Sequence, residues 1–116
     1  MNDELLKTIE REVLSWPGMD KEPREDDVAS YRFGRRHVGH IHEDGVADIV
    51  FPKDLHDQLI ADGQAEPHRG GFRSVVSFFI RDAADAPRAI ELFRMAYALA
   101  KESAERRASA SAGVAE

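Results

Sequence analysis

Residues 36 to 51 constrain the fold more than any other stretch. Residues 36–42 alternate polar and apolar, residues 46–51 are apolar and β-branched, and Glu43-Asp44-Gly45 stands between them. That pattern predicts a β-hairpin. If the loop has three residues, Gly45 takes the left-handed bulge position and residue 42 faces residue 46. His40 then lies opposite Asp48, with Cβ atoms about 5 Å apart. Gly39, Ile41, Ala47 and Ile49 gather on the other face as a core. A two-residue Asp44-Gly45 turn is the rival register, and it pairs His40 with Ile49 and sends Asp48 to the opposite face. The apolar side chains sort better in the first.

The remaining elements follow from periodicity. Leu5, Ile9 and Val13 recur every four residues, with Leu6 and Leu14 beside them, so the chain opens with an amphipathic helix. Asn2 or Asp3 caps it, and Trp16-Pro17-Gly18 stops it. A charged loop over residues 20–27 leads to a strand at 28–34. After the hairpin, Pro52 opens a short helix carrying Leu55, Leu59 and Ile60, which Gly63 ends. A brief extended piece at 65–68 precedes the strand at 73–81. The apolar run of that strand, residues 75–80, predicts a central position covered on both faces. A final helix starts near Asp85-Ala86-Pro87, with Ile90, Phe93 and Tyr97 as its stripe.

These elements predict an α+β domain of order α-β-β-β-α-β-β-α. Its antiparallel sheet has four to five strands, with helices packed largely on one face. One domain over residues 1–102 is expected, and residues 103–116, without a large apolar side chain until Val114, read as a fraying helix end and disordered tail.

The absence of cysteine removes disulfides, thiolate metal sites and Cys nucleophiles. An acidic start and the lack of an apolar run near the ~18 residues of a membrane span predict a cytoplasmic protein. With a net charge of −6, phosphate backbones are repelled unless basic residues gather on one face. Arg32, Arg35, Arg36 and His37 are a short cluster, so nucleic acid is not the expected partner.

Of the 5 histidines, His37, His40 and His42 lie close together. In a regular strand His40 and His42 share a face and His37 points away. Asp48 joins the pair in the favoured register, and His68 joins if its segment runs beside the hairpin. Such a set can ligate iron, manganese or zinc and leave positions open. Equally, Asp48 can orient His40 as a general base without a metal. The plain alternative is two half-exposed strand histidines with Asp48 as their hydrogen-bond partner. No metal ligands are assigned, because His-x-His with a distant acid is a loose pattern. No Gly-x-Ser-x-Gly, phosphate-binding loop or dinucleotide fingerprint is present, which argues against nucleotide hydrolysis and leaves the cofactor unknown.

Residues 33–42 (Phe-Gly-Arg-Arg-His-Val-Gly-His-Ile-His), 44–49, Phe51-Pro52, Ala65-Glu66-Pro67-His68, residues 76–78 and residues 92–97 resemble the luciferase-domain family. That family is named for fungal luciferases and includes many bacterial proteins of unassigned function. The resemblance spans roughly residues 16 to 100. It implies a site built from Gly39, His40, His42, Asp48, Glu66 and His68. Three positions depart from the family pattern: His37 replaces a carboxylate, Ser74-Val75 replaces Gly-Trp, and Arg69 replaces a second histidine. Fungal members oxygenate a polyphenolic pyrone with molecular oxygen. The element order and Tyr97 are also similar to the YjbR-like domains, proposed to bind DNA.

The leading expectation is a small-ligand-binding domain, with an oxygenase-like enzyme implied by the resemblance. His40, His42, Asp48 and His68 are its catalytic candidates, and Arg36, Arg73 and Glu66 its ligand-binding ones. A non-catalytic, oligomeric interaction module is the second reading. A nucleic-acid binder using Arg32, Arg35, Arg36 and Arg73 is the third.

Overall fold

The computed structural model describes residues 2–23 and 29–114. Helix α1, Asp3–Ser15, is capped by Asn2, whose side-chain oxygen accepts the Glu4 and Leu5 amides. Its stripe buries Ile9 and Val13. Strands β1 (Met19–Lys21), β2 (Ala29–Phe33), β3 (Arg36–Ile41) and β4 (Val46–Val50) follow. Then come α2 (Lys53–Ala61), β5 (Glu66–Pro67), β6 (Val75–Phe79), a single 3₁₀ turn at Ala83–Asp85 and α3 (Ala86–Val114).

The strands form one antiparallel 6-stranded sheet in the order β1-β2-β3-β4-β6-β5. The mixed α+β architecture agrees with the pattern of the sequence, with more strands than foreseen. The addition is β1, too short to show alternation, which pairs with β2 and places Met19 in the core. The charged loop expected over residues 20–27 therefore begins as strand, and part of it lies outside the described residues. The apolar strand β6 is not central: it lies between β4 and the two-residue edge strand β5. Val76 and Ser77 on its opposite faces are both buried, Ser77 by polar neighbours rather than by a helix.

The β3–β4 hairpin adopts the three-residue register. Gly45 sits at φ 90° and donates its amide to the His42 carbonyl, while the His42 amide donates to Val46. His40 pairs with Asp48, Gly39 with Ile49, and Ile41 with Ala47. On the apolar face α3 lies across β2, β3 and β4, and α1 packs on α3. The fit there is tight at Gly39, where a Cβ would stand 2.8 Å from the Phe93 ring and 2.9 Å from the Asp48 carbonyl. Only glycine lets β4 and α3 close on β3 at that point. Phe93 meets Tyr31 edge-on, ring centroids 5.6 Å apart, and the Tyr31 hydroxyl donates to Glu10 on α1. Tyr97 packs on Trp16 and Phe33 and donates its hydroxyl to the Pro17 carbonyl, tying α3 to the end of α1.

Ala100 is the last α3 residue in the core. Beyond it α3 continues to Val114, with the side chains of residues 101–110 largely in solvent. Among the described residues no helix is long and apolar enough to cross a membrane.

Candidate functional site

Directly opposed residues in an antiparallel sheet share a face. The pairings Ser30–His40, His40–Asp48, Asp48–Ser77 and Ser77–Glu66 therefore define one polar row across β2, β3, β4, β6 and β5. Glu22, whose amide donates to the Ser30 carbonyl, extends the row beyond β2. It runs across the face opposite Gly39, Ile49 and Val76. Asp48 is at its middle with 2% of its side chain exposed.

Alternation places His42 and His68 beside Asp48, one toward each end of the strands. The result is a convergence on one oxygen. Asp48 Oδ2 lies 2.7 Å from His42 Nε2, 3.3 Å from His40 Nε2 and 3.6 Å from His68 Nε2. Its other oxygen, Oδ1, accepts the Ser77 hydroxyl at 2.5 Å. His40, His42 and His68 are half-buried, and they form the outer wall that hides the carboxylate.

Burial by itself would raise the Asp48 pKa, since a charge is poorly solvated there. Hydrogen bonds from His40, Ser77 and His42, with the charge of His42, outweigh it and hold the carboxyl well below the usual range. Asp48 is accordingly a fixed anion beneath three imidazole edges. That arrangement can carry out acid–base chemistry, and one ligand atom each from His40, His42 and Asp48 lie within 4.8 Å of one another, close enough to share a metal ion.

His37 does not point away. The β2–β3 ladder shifts between Tyr31 and Arg32, which pair with Gly39 and His37 and leave Val38 as an extra residue. Such a bulge reverses alternation, and it turns His37 onto the same face as His40. His37 Nε2 lies 2.9 Å from His40 Nδ1, and His37 Nδ1 lies 3.0 Å from Glu22 Oε2. The cluster thus has an outer arm that alternation in the sequence conceals. Ser77 had a visible signal, one hydroxyl inside an apolar strand. Glu22 had none, because its approach to His37 depends on the pairing of β1 with β2.

The other ligand-binding candidates stand apart from the carboxylate. Glu66 is exposed on β5, and Arg73 reaches Asp57 on α2 at 3.8 Å. Arg36 pairs with Phe33 at the far end of the β2–β3 ladder. Arg69 forms a 2.9 Å ion pair with Asp44 that ties the loop after β5 to the hairpin turn. Within that loop the Gly70 amide donates to His68 Nδ1 at 2.9 Å, and the exposed Phe72 ring lies 5.1 Å from the His68 ring. A cleft of about 410 Å³ lined by Gln64, Glu66, Ser77, Phe79, Arg81 and Asp85 touches the polar row at Glu66 and Ser77, so this cleft and the imidazoles are neighbours rather than one space.

Fold and site together define a small α+β domain with a histidine-walled carboxylate on the face away from α1 and α3. The Luciferase domain family matches residues 35–96, more than half of the chain, and the protein belongs to that family. The match contains His37, His40, His42, Asp48, His68 and Ser77 and leaves Glu22 and Ser30 outside. No curated protein and no solved structure matches the chain.

Proposed function

We propose that the histidine-walled face binds a small aromatic or enolic ligand and acts on an acidic hydroxyl of it, in a reaction of the oxygenase kind that fungal members of the family carry out. The observation that supports this reading is the convergence of three imidazole Nε2 atoms on the buried, anionic Asp48. A pairing that served only to stabilise the sheet needs one donor for each carboxylate oxygen. Three imidazoles around one oxygen leave donor and acceptor capacity directed at whatever lies above it.

The roles follow from the geometry. His68 Nδ1 is occupied by the Gly70 amide, so the neutral ring carries its hydrogen on Nε2 and presents a donor to a ligand oxygen. His42, which the carboxylate backs most closely, is the imidazole best placed to keep a proton taken from the ligand hydroxyl. Phe72, 65% exposed beside His68, offers a ring face against which an aromatic ligand can stack.

The test is a thermal-shift and oxygen-uptake screen of hydroxylated aromatic and pyrone compounds against the wild-type chain and His68→Ala. A compound that stabilises the wild type, and loses its effect in a variant whose own Tm is within a few degrees, supports the reading. Hits that act equally on both place the ligand elsewhere and refute it.

A further inference from the structure

We infer that His40, His42 and Asp48 hold one divalent first-row transition-metal ion, and that Glu22 and His37 form the arm that orients His40 toward it. The inference shares its location with the ligand site proposed above, and it is measured without any organic ligand.

The first support is the spacing. Ligand atoms bonded at about 2.0–2.1 Å stand roughly 2.9 Å apart in a six-coordinate shell and about 3.3–3.4 Å apart in a four-coordinate one. His42 Nε2 and His40 Nε2 lie 2.7 and 3.3 Å from Asp48 Oδ2, and one ligand atom from each of the three residues lies within 4.8 Å of the others. Because Ser77 takes Oδ1, the carboxylate is left with one oxygen facing the imidazoles and would bind through that oxygen alone.

The second support is a count of hydrogens. Glu22, His37, His40 and Asp48 make three consecutive short contacts, of 3.0, 2.9 and 3.3 Å. Each contact sets two electronegative atoms face to face and needs a positive centre between them. Two carboxylates and two neutral imidazoles bring two N–H hydrogens for these three places. With His37 donating Nδ1–H to Glu22, and His40 donating Nδ1–H to His37, both hydrogens are used. The 3.3 Å contact between His40 Nε2 and Asp48 Oδ2, which a proton bridges in the metal-free chain, is then the place that a metal ion can take. An ion between His40 Nε2 and Asp48 Oδ2 would replace that proton as the positive centre. A carboxylate that fixes the tautomer of a ligating histidine from behind is the usual outer support of a metal site, and here a second imidazole relays it.

The same reasoning sorts His68 out of the shell. Its Nδ1 accepts the Gly70 amide, so its Nε2 carries hydrogen and is a donor. The shell is two histidines and one carboxylate with open positions, a donor set suited to Fe2+, Mn2+, Co2+ or Zn2+. With the ion in place, His42 serves as a ligand in place of its role as proton acceptor, and His68 donates its Nε2–H to a ligand oxygen.

The experiment titrates Co2+ and Zn2+ into chelator-stripped, tag-free chain, following heat, visible cobalt absorption and the ring-nitrogen shifts of wild-type histidines. One ion per chain is expected, with metal-bound shifts at Nε2 of His40 and His42 and an Nε2–H tautomer at His68. His40→Ala and Asp48→Asn should lose the ion, and His68→Ala should keep it. Glu22→Gln should weaken it about tenfold, and Glu22→Asp should recover part of that loss. Absence of binding at micromolar metal overturns the inference, as does an ion whose nitrogen shifts fall on other histidines. The wild-type shifts decide even if a variant fails to fold. If metal binding fails while His68→Ala still abolishes ligand binding, the ligand site stands and only the ion is lost.

Discussion

The two faces of the β3–β4 hairpin both bury their central residues and are held in different ways. On one face Ile41, Ala47 and Ile49 meet α3, and burial of each large apolar side chain stabilises the fold by about 1.5–3 kcal/mol wherever its neighbours sit to within a methyl group. On the other face Ser30, Asp48 and Ser77 are as buried, yet each depends on a named partner atom at hydrogen-bond distance. Apolar burial tolerates exchange of shape, whereas a buried carboxylate tolerates only replacements that keep its donors satisfied. A one-residue slip of β4 would exchange the two sets, so the core and the site enforce the same register.

The comparison breaks most severely from the apolar side. Phe93→Ala should cost about 3–5 kcal/mol, because it empties the space between Gly39 and Tyr31. Urea unfolding should show a large fall in midpoint. Gly39→Ala should cost about 1–3 kcal/mol by overpacking, since its Cβ meets Phe93 and the β4 backbone together. Second-site Phe93→Leu should recover part of that loss and would tie it to this contact.

From the polar side, Asp48→Asn should cost about 1–3 kcal/mol near neutral pH. The sign of its pH dependence follows from the depressed carboxyl. The stabilisation is fully present above the ordinary value of 3.8 and is lost as pH falls through the lower folded value. The stability gap between wild type and Asp48→Asn should therefore narrow in acid, whereas the Phe93→Ala gap should not. His68→Ala should have the smallest effect on folding, under about 1 kcal/mol, because its ring is half-buried and beyond hydrogen-bond range of Asp48. A larger loss by thermal melting would assign His68 to the scaffold.

Much of this was legible in the sequence, for local reasons. Gly45 in a three-residue loop and the sorting of Gly39, Ile41, Ala47 and Ile49 onto one face define the hairpin, and with it the His40–Asp48 pair. His37 was assigned to the wrong face because alternation assumes a regular strand, and the bulge at Val38 adds one residue. Glu22 was beyond local reasoning, since it reaches His37 through β1, three residues long and paired across a loop. The apolar run of β6 suggested a central strand, but a polar residue can be buried by other polar residues, as Ser77 is by Asp48.

The most direct test of the account follows the side-chain carboxyl carbon of Asp48 by NMR as the pH is lowered from about 6 to about 2. The account predicts that the resonance keeps its ionised shift through the ordinary carboxylate range and moves only well below it, because Ser77 and the surrounding imidazoles favour the charged form. A midpoint near 3.8, that of a solvated carboxylate, would contradict it. Asp48 would then be an ordinary strand residue, with no fixed anion beneath the imidazoles.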